Sequence, residues 1–162
     1  MNKMSDGNNE VSVNYFVICD QVITEAQTGK QSLIGTYSAL MAQSLPFYSN
    51  LSVAIGIRVT NKQSHQIKFR LVAPDKSVLF ESPVLPYDEA STGKSVDAMG
   101  FATLQMGINL QAVPMAQTGV YLAELVVDDL AVSEYSLSVQ QQAPPPPAGG
   151  GSTFPRAQGN LH

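Results

Sequence analysis

A single cysteine, Cys19, is present among the 162 residues of the chain. One thiol cannot form a disulfide within the chain, so a reducing compartment is permitted. The first ten residues lack the apolar stretch of a signal peptide. No apolar run approaches the roughly 18 residues that a membrane span requires. These absences predict a cytoplasmic protein that has no membrane partner.

Charged side chains are scarce as well, since Asp, Glu, Lys and Arg make up 14% of the chain, against about 25% in an average protein. The nine Lys and Arg residues are scattered from Lys3 to Arg156, and the formal net charge is −4. Nucleic acids and anionic membranes attract clustered basic residues, so neither is an expected partner. Ser, Thr, Gln and Asn replace the missing charges, and such a surface is easily desolvated against another protein.

Side chains with catalytic chemistry are few. Of the two histidines, His65 borders a polar loop and is predicted to be a solvated turn residue, while His162 ends the chain. Cys19 lies on an apolar strand, which predicts a core thiol. The string 91–95, Ser-Thr-Gly-Lys-Ser, resembles the end of a phosphate-binding loop, but Asp88 stands where that motif requires glycine. We therefore predict no catalytic residue, no cofactor and a protein that is not an enzyme.

The chain is instead rich in period-2 alternation of apolar and polar residues. Residues 51–59 and 67–71 alternate on either side of the polar loop 61–64, which indicates an antiparallel hairpin. Residues 102–110 alternate in the same way. With polar turns roughly every 8–12 residues and no convincing helix, this pattern predicts an all-β fold, an antiparallel two-sheet sandwich of about eight strands.

The first predicted strand is apolar on both faces, as in a buried strand. Strict alternation assigns Phe16 and Ile18 to one face. It assigns a larger set to the opposite face: Val11, Val13, Tyr15, Val17 and Cys19.

The closing segment, 119–139, predicts a hairpin around Asp128 and Asp129. Its second strand alternates, and Tyr135 and Leu137 share the face predicted to be buried. Two adjacent acids favour turn geometry and keep a sheet edge soluble. With further oxygen ligands from neighbouring loops they could also bind Ca²⁺, so Asp128 and Asp129 are the metal candidates.

Composition divides the chain into three parts. Residues 1–10 are polar and predicted to be disordered, residues 11–140 form the sandwich domain, and residues 141–162 are a Pro/Gly-rich tail that is also predicted to be disordered. The run Pro144–Pro147 favours polyproline II, which is typical of a spacer. Docking of this PxxP segment on an aromatic groove is the alternative.

Two stretches, 39–50 and 83–97, are predicted to be long loops, and loops of this length are commonly functional. They carry Phe47, Tyr48 and Tyr87, which are the candidate residues for contact with a partner.

Several short motifs together resemble a known family. They are Cys19-Asp20, the segment 29–35, Pro46-Phe47, the strand 51–59, the segment 71–75, Gly119-Val-Tyr121 and the turn 127–129. The resemblance spans about Tyr15 to Val139 and is to small bacterial β-sandwich domains catalogued only as a domain of unknown function. It implies an immunoglobulin-like sandwich in a bacterial or phage protein, and it carries over no catalytic residue.

The expected function is therefore that of a non-enzymatic interaction or structural module. Its partner would be another protein or a second copy of the chain, because the loops and sheet edges of a sandwich offer contact surfaces without convergent polar chemistry. The alternative is a domain that binds a small ligand or Ca²⁺ through loops at one end, with Asp128 and Asp129 as ligands.

Overall fold

Ten strands and one helix of four residues make up the computed structural model, which describes residues 10–88 and 96–143. Disorder was predicted for residues 1–10 and 141–162, of which 1–9 and 144–162 lie outside the described part. Among the remaining residues, Gln141 ends β10 and the backbone N–H of Gln142 donates to the carbonyl oxygen of Ala42. The strands are β1 (Val11–Thr24), β2 (Gln31–Thr36), β3 (Ala39–Ala42), β4 (Phe47–Val59), β5 (His65–Val72), β6 (Val78–Glu81), β7 (Leu85–Tyr87), β8 (Ala102–Met115), β9 (Gly119–Val127) and β10 (Leu130–Gln141), and the helix is α1 (Val96–Met99).

The strands form two sheets that face each other. Sheet A has the order β2-β1-β4-β8, and sheet B has the order β3-β10-β9-β5-β6. Strand β7 pairs with the first residues of β5, whereas β6 pairs with its last residues. All pairs are antiparallel except β3 with β10. The predicted immunoglobulin-like sandwich is confirmed. No helix in the described ranges is long and apolar enough to cross a membrane.

Two strands lie in stretches that were expected to be loops. Ala39–Ala42 forms β3, which adds to the edge of sheet B beside β10. Leu85–Tyr87 forms β7, and Val96–Met99 forms α1. Strands of four and three residues are too short to show a recognisable alternation. The expectation of two unbroken loops was therefore wrong, while the all-β architecture is unaffected.

The core fills the space between the inner faces of the two sheets. Ile55 and Ile57 from β4 are fully buried, as are Phe69 and Leu71 from β5. The ring of Phe16 in β1 meets Phe69 edge-on, with 6.2 Å between centroids. Each large apolar side chain that is fully buried contributes roughly 1.5–3 kcal/mol to folding. The apolar side chains that alternate along β4 and β5 therefore hold the two sheets together.

A bulge in β1 changes which of its side chains face the core. Val13 pairs with Ile57 and Tyr15 pairs with Gly56, so Asn14 is an extra residue in the strand. The faces exchange there, and Val11 and Val13 pack against the core on the side of Phe16 and Ile18. The predicted face shared by Val11, Val13, Tyr15, Val17 and Cys19 is therefore wrong for the first two residues.

Strand β4 is buried on its outer face as well as its inner face. Ala54 and Gly56 point away from the core, and both are buried. The Tyr15 ring occupies the space beside Gly56, where a Cβ would lie 2.3 Å from the ring. Val22 lies over Gly107 of β8 in the same way, so the end of the β1–β2 hairpin crosses the outer face of sheet A. The β1–β2 hairpin can pack closely on the outer face of sheet A because these residues of β4 and β8 are small.

A tyrosine near the start of β9 ties the sandwich to the preceding turn. The Tyr121 hydroxyl donates to the carbonyl oxygen of Gln117 at 3.0 Å, and the side chain is 1% exposed. A tyrosine whose hydroxyl bonds to backbone a few residues upstream, at this corner, is a hallmark of immunoglobulin-like folds.

Removing this hydroxyl tests its role. We expect Tyr121→Phe to lower the free energy of unfolding by about 1–2 kcal/mol, because the buried acceptor loses its donor. Urea unfolding of the full chain measures the change. Tyr48→Phe is the matched control, since Tyr48 is 69% exposed, and it should leave stability unchanged. Equal effects of the two substitutions would contradict the assignment.

Candidate functional site

His65 lies in a buried cluster at the end of the sandwich where β5 begins. Its side chain is 6% exposed, which corrects the expectation of a solvated turn residue. Ring atom Nδ1 lies 2.6 Å from Oδ2 of Asp128, and Nε2 lies 2.8 Å from Oδ1 of Asn61. The ring also faces Tyr87, with 6.2 Å between centroids. The cluster joins the loop before β5, the β9–β10 turn and β7.

Both ring nitrogens of His65 face oxygen atoms of other residues. The amide nitrogen of Asn61 donates to the Glu10 carboxylate, and its amide oxygen accepts the N–H of Gln63 at 3.3 Å. The amide oxygen is therefore the atom that faces Nε2. Nδ1 faces the carboxylate of Asp128. Both nitrogens of the ring are thus engaged by other side chains of the protein.

Asp128 is the anionic partner in this cluster. Its Oδ1 accepts the backbone N–H of Gln66 at 2.9 Å while Oδ2 accepts from His65. Partial burial raises the pKa of Asp128, but the hydrogen bonds from His65 and Gln66 and the charge of His65 outweigh it, so the net pKa is lowered. The cluster acts as a clamp between distant segments, and both ring nitrogens of His65 are engaged by other side chains.

The two candidate calcium ligands have separate protein partners. Asp128 and Asp129 have φ of 50° and 65°, the left-handed pair that a tight hairpin turn requires. Asp128 binds His65, whereas Asp129 lies 3.4 Å from Lys68 and is 83% exposed. Ca²⁺ needs about six to eight oxygen ligands. Within residues 10–88 and 96–143, no three His, Cys, Asp or Glu side chains converge to hold a metal.

The three aromatic contact candidates do not form one surface. Tyr48 is 69% exposed near the start of β4, and Phe47 beside it is half-buried against the core. Tyr87 is fully buried and pairs with His65, at the opposite end of the sandwich from the start of β4. Among the three, Tyr48 alone presents most of its side chain to a partner.

The remaining residues singled out in the sequence fall in two groups. Cys19 is buried as predicted, and burial raises the pKa of its thiol, which keeps it protonated and unreactive. The phosphate-loop-like string 91–95 and His162 lie outside the described residues.

The longest edge strand among the described residues is one that sequence reasoning did not single out. Strand β8 spans 14 residues, pairs with β4 on one side and pairs with no described strand on the other. Its sequence, Ala-Thr-Leu-Gln-Met-Gly-Ile-Asn-Leu-Gln-Ala-Val-Pro-Met, contains no charged residue. We call residues 104–111, on the side away from β4, the β8 edge.

Natural proteins protect sheet edges with charges, prolines, bulges or short strands, because unpaired backbone groups recruit other strands. The edge of sheet B has such protection, since β6 has four residues and ends in Glu81, and β7 has three residues and contains Pro86. In β8 the interruptions come late, at Ala112 with φ of 51° and at Pro114. The β8 edge before them has no such protection.

The side chains of the β8 edge alternate in exposure. Leu104, Met106 and Ile108 are half-buried against the core. The residues between them, Gln105 and Gly107, are exposed. An added strand would cover the apolar row and pair the free backbone groups at the same time.

The opposite side of the sandwich is open but irregular. A cleft of about 720 Å³ lies between the first part of β1 and the first part of β10, with Leu130 70% exposed beside it. Both strands carry a bulge here, between Val13 and Tyr15 and between Ala131 and Ser133. Bulges interrupt regular pairing, so these edges are poor templates for a further strand.

The fold and its surfaces define an immunoglobulin-like β-sandwich in which β8 is the longest uncharged edge strand among the described residues. The chain belongs to a family of unknown function (DUF6941), whose model matches residues 14–140. No curated protein matches the chain in sequence.

Solved structures resemble the chain in fold at low identity. The alkylpurine DNA glycosylase AlkC of Pseudomonas fluorescens matches with 8% identity and a TM-score of 0.48 over 81% of this chain and 30% of the glycosylase. An immunoglobulin-like protein from Pseudomonas aeruginosa matches with 11% identity and a TM-score of 0.41, over 81% of this chain and 97% of that protein. A CARDB domain from Pyrococcus furiosus, solved with di-metal ions, matches with 7% identity and a TM-score of 0.37 over 78% and 88%.

The clamp predicts a characteristic pH dependence of stability. Because the pKa of Asp128 is lowered in the folded state, its ionised form stabilises the fold at neutral pH. This contribution is lost as the pH falls through the folded-state pKa, below the usual value of about 4. We expect Asp128→Asn to be less stable than wild type near neutral pH, with the difference shrinking in acid. Urea unfolding across this pH range measures it.

Asp129→Asn is the matched control, because Asn tolerates the same left-handed turn and Asp129 is almost fully exposed. It should change stability little at any pH. A constant deficit of Asp128→Asn from neutral to acid pH would show that the charge of Asp128 plays no part.

Proposed function

We propose that this protein is a non-enzymatic interaction module of a bacterium or phage, which binds a partner protein by adding a strand to the β8 edge. The observation that supports the proposal most is the length of β8, 14 residues, without a charged side chain on an unprotected edge. We place it in the cytoplasm, since Cys19 is a free buried thiol.

Strand addition suits the β8 edge for two reasons. In an antiparallel sheet alternate residues of the outermost strand direct N–H and C=O groups away from the sheet, and a partner strand satisfies them. The half-buried row of Leu104, Met106 and Ile108 supplies apolar contact. Backbone pairing provides affinity in this mode, and alternate side chains provide specificity.

Other functions have less support from the described residues. The histidine with a carboxylate neighbour, His65, already has both ring nitrogens hydrogen-bonded to Asp128 and Asn61, so neither nitrogen is placed to act on a substrate. The carboxylates of Asp128 and Asp129 contact different side chains, His65 and Lys68, instead of one metal. An interaction surface therefore remains the function that the geometry favours.

The experiment is affinity capture from the source organism with three versions of the full chain. Met106→Lys places a charge on the inner row of the β8 edge, where an added strand would bury it. Met106→Leu is the matched control, because it keeps the row apolar. We expect wild type and Met106→Leu to capture the same protein and Met106→Lys to lose at least tenfold of it.

Thermal melting of each variant shows whether it is folded, and Ser136→Lys, an exposed position on β10, reports the effect of an added lysine elsewhere. A folded Met106→Lys variant that captures the partner as well as wild type would contradict the proposal. Loss of capture by Ser136→Lys as well would show an effect of charge alone.

A further inference from the structure

We infer that the strand added to the β8 edge is β8 of a second copy of this chain, so that a two-fold symmetric dimer joins two copies of sheet A into one continuous sheet. The inference rests on the proposed function, because it names the partner of the same edge. It is carried by three properties of β8: its lack of charge, its usable length and the order of its residues.

The lack of charge makes the strand compatible with itself. Like charges placed opposite each other across two strands are destabilising, and a strand that contains Lys or Glu therefore resists pairing with its own copy in most registers. Strand β8 contains neither. In contrast, a β6 edge paired with its copy would carry Glu81 in a strand of four residues. Of the edge strands described, β8 offers the longest uncharged run for self-pairing.

The usable length sets the register. Regular strand geometry runs from Ala102, where β8 begins, to Ala112, whose left-handed φ of 51° interrupts it. A two-fold axis through the middle of this segment places Gly107 opposite Gly107 of the second copy. Antiparallel strands related by such an axis, perpendicular to the sheet, keep their apolar faces on the same side.

In this register, each residue of this segment of β8 lies opposite a residue of similar polarity in the second copy. On the inner face Met106 lies opposite Ile108 of the second copy, and Leu104 lies opposite Leu110. On the outer face Gln105 lies opposite Asn109, so two amides can bond across the dyad. Apolar rows that are half-buried in one copy become covered by the other, which is the source of affinity.

The first measurement is the mass of the full chain by light scattering and sedimentation over a range of protein concentrations. We expect a monomer–dimer equilibrium for wild type and for Met106→Leu, and a monomer for folded Met106→Lys. A wild type that stays monomeric at the highest concentration overturns the inference. If partner capture still depends on Met106 in that case, the proposed function stands; if it does not, both fail.

A pair of charge variants tests the register itself. Gln105→Lys with Asn109→Glu places opposite charges across the dyad, and Gln105→Lys with Asn109→Lys places like charges there. Both double variants replace the Asn109 amide that accepts from Ser52, and thermal melting of each checks that it is folded. We expect the first to dimerise about tenfold more tightly than the second, since two symmetric pairs change at once. Equal dimer affinities would overturn the Gly107-centred pairing.

Discussion

Strand β4 is buried on both faces, and the arrangement of the other strands depends on this constraint. Its inner residues, such as Ile55, join the two sheets, while its outer residues Ala54 and Gly56 are small enough to lie beneath the β1–β2 hairpin. A strand covered on both faces must be flanked on both edges to satisfy its backbone. β1 and β8 take those two positions, and β8 is therefore left as the outermost strand of sheet A.

The ends of the sandwich consequently differ in their polar side chains, and its edges differ in how regular their strands are. At one end, the side chains of His65, Asp128 and Asn61 are hydrogen-bonded to one another, and these are the polar groups that could otherwise have acted in catalysis. Along one side, bulges and short strands interrupt the pairing of the edges. The β8 edge is a long regular strand edge that these bulges and short strands do not interrupt, and the proposed strand addition there needs no catalytic group.

The sequence predicted those features that depend on local alternation and missed those that depend on distant contacts. The period-2 runs in β4 and β8 are long, so both strands were predicted along with the sandwich. The bulge at Asn14 was missed because the residues around it also fit strict alternation. His65 was taken as solvated because its partner Asp128 is far away in the chain. The absence of charge in β8 was visible, but only strand order shows that this strand lies at an edge.

Amide hydrogen exchange of the full chain over a range of protein concentrations tests most directly whether β8 is an open pairing edge. A second β8 that pairs with it should slow exchange of the outward-facing amides between Leu104 and Gln111 as concentration rises. The amides of β6, at the edge of sheet B and ending in Glu81, should exchange at a constant rate. Exchange in β8 that is fast and independent of concentration would contradict this account.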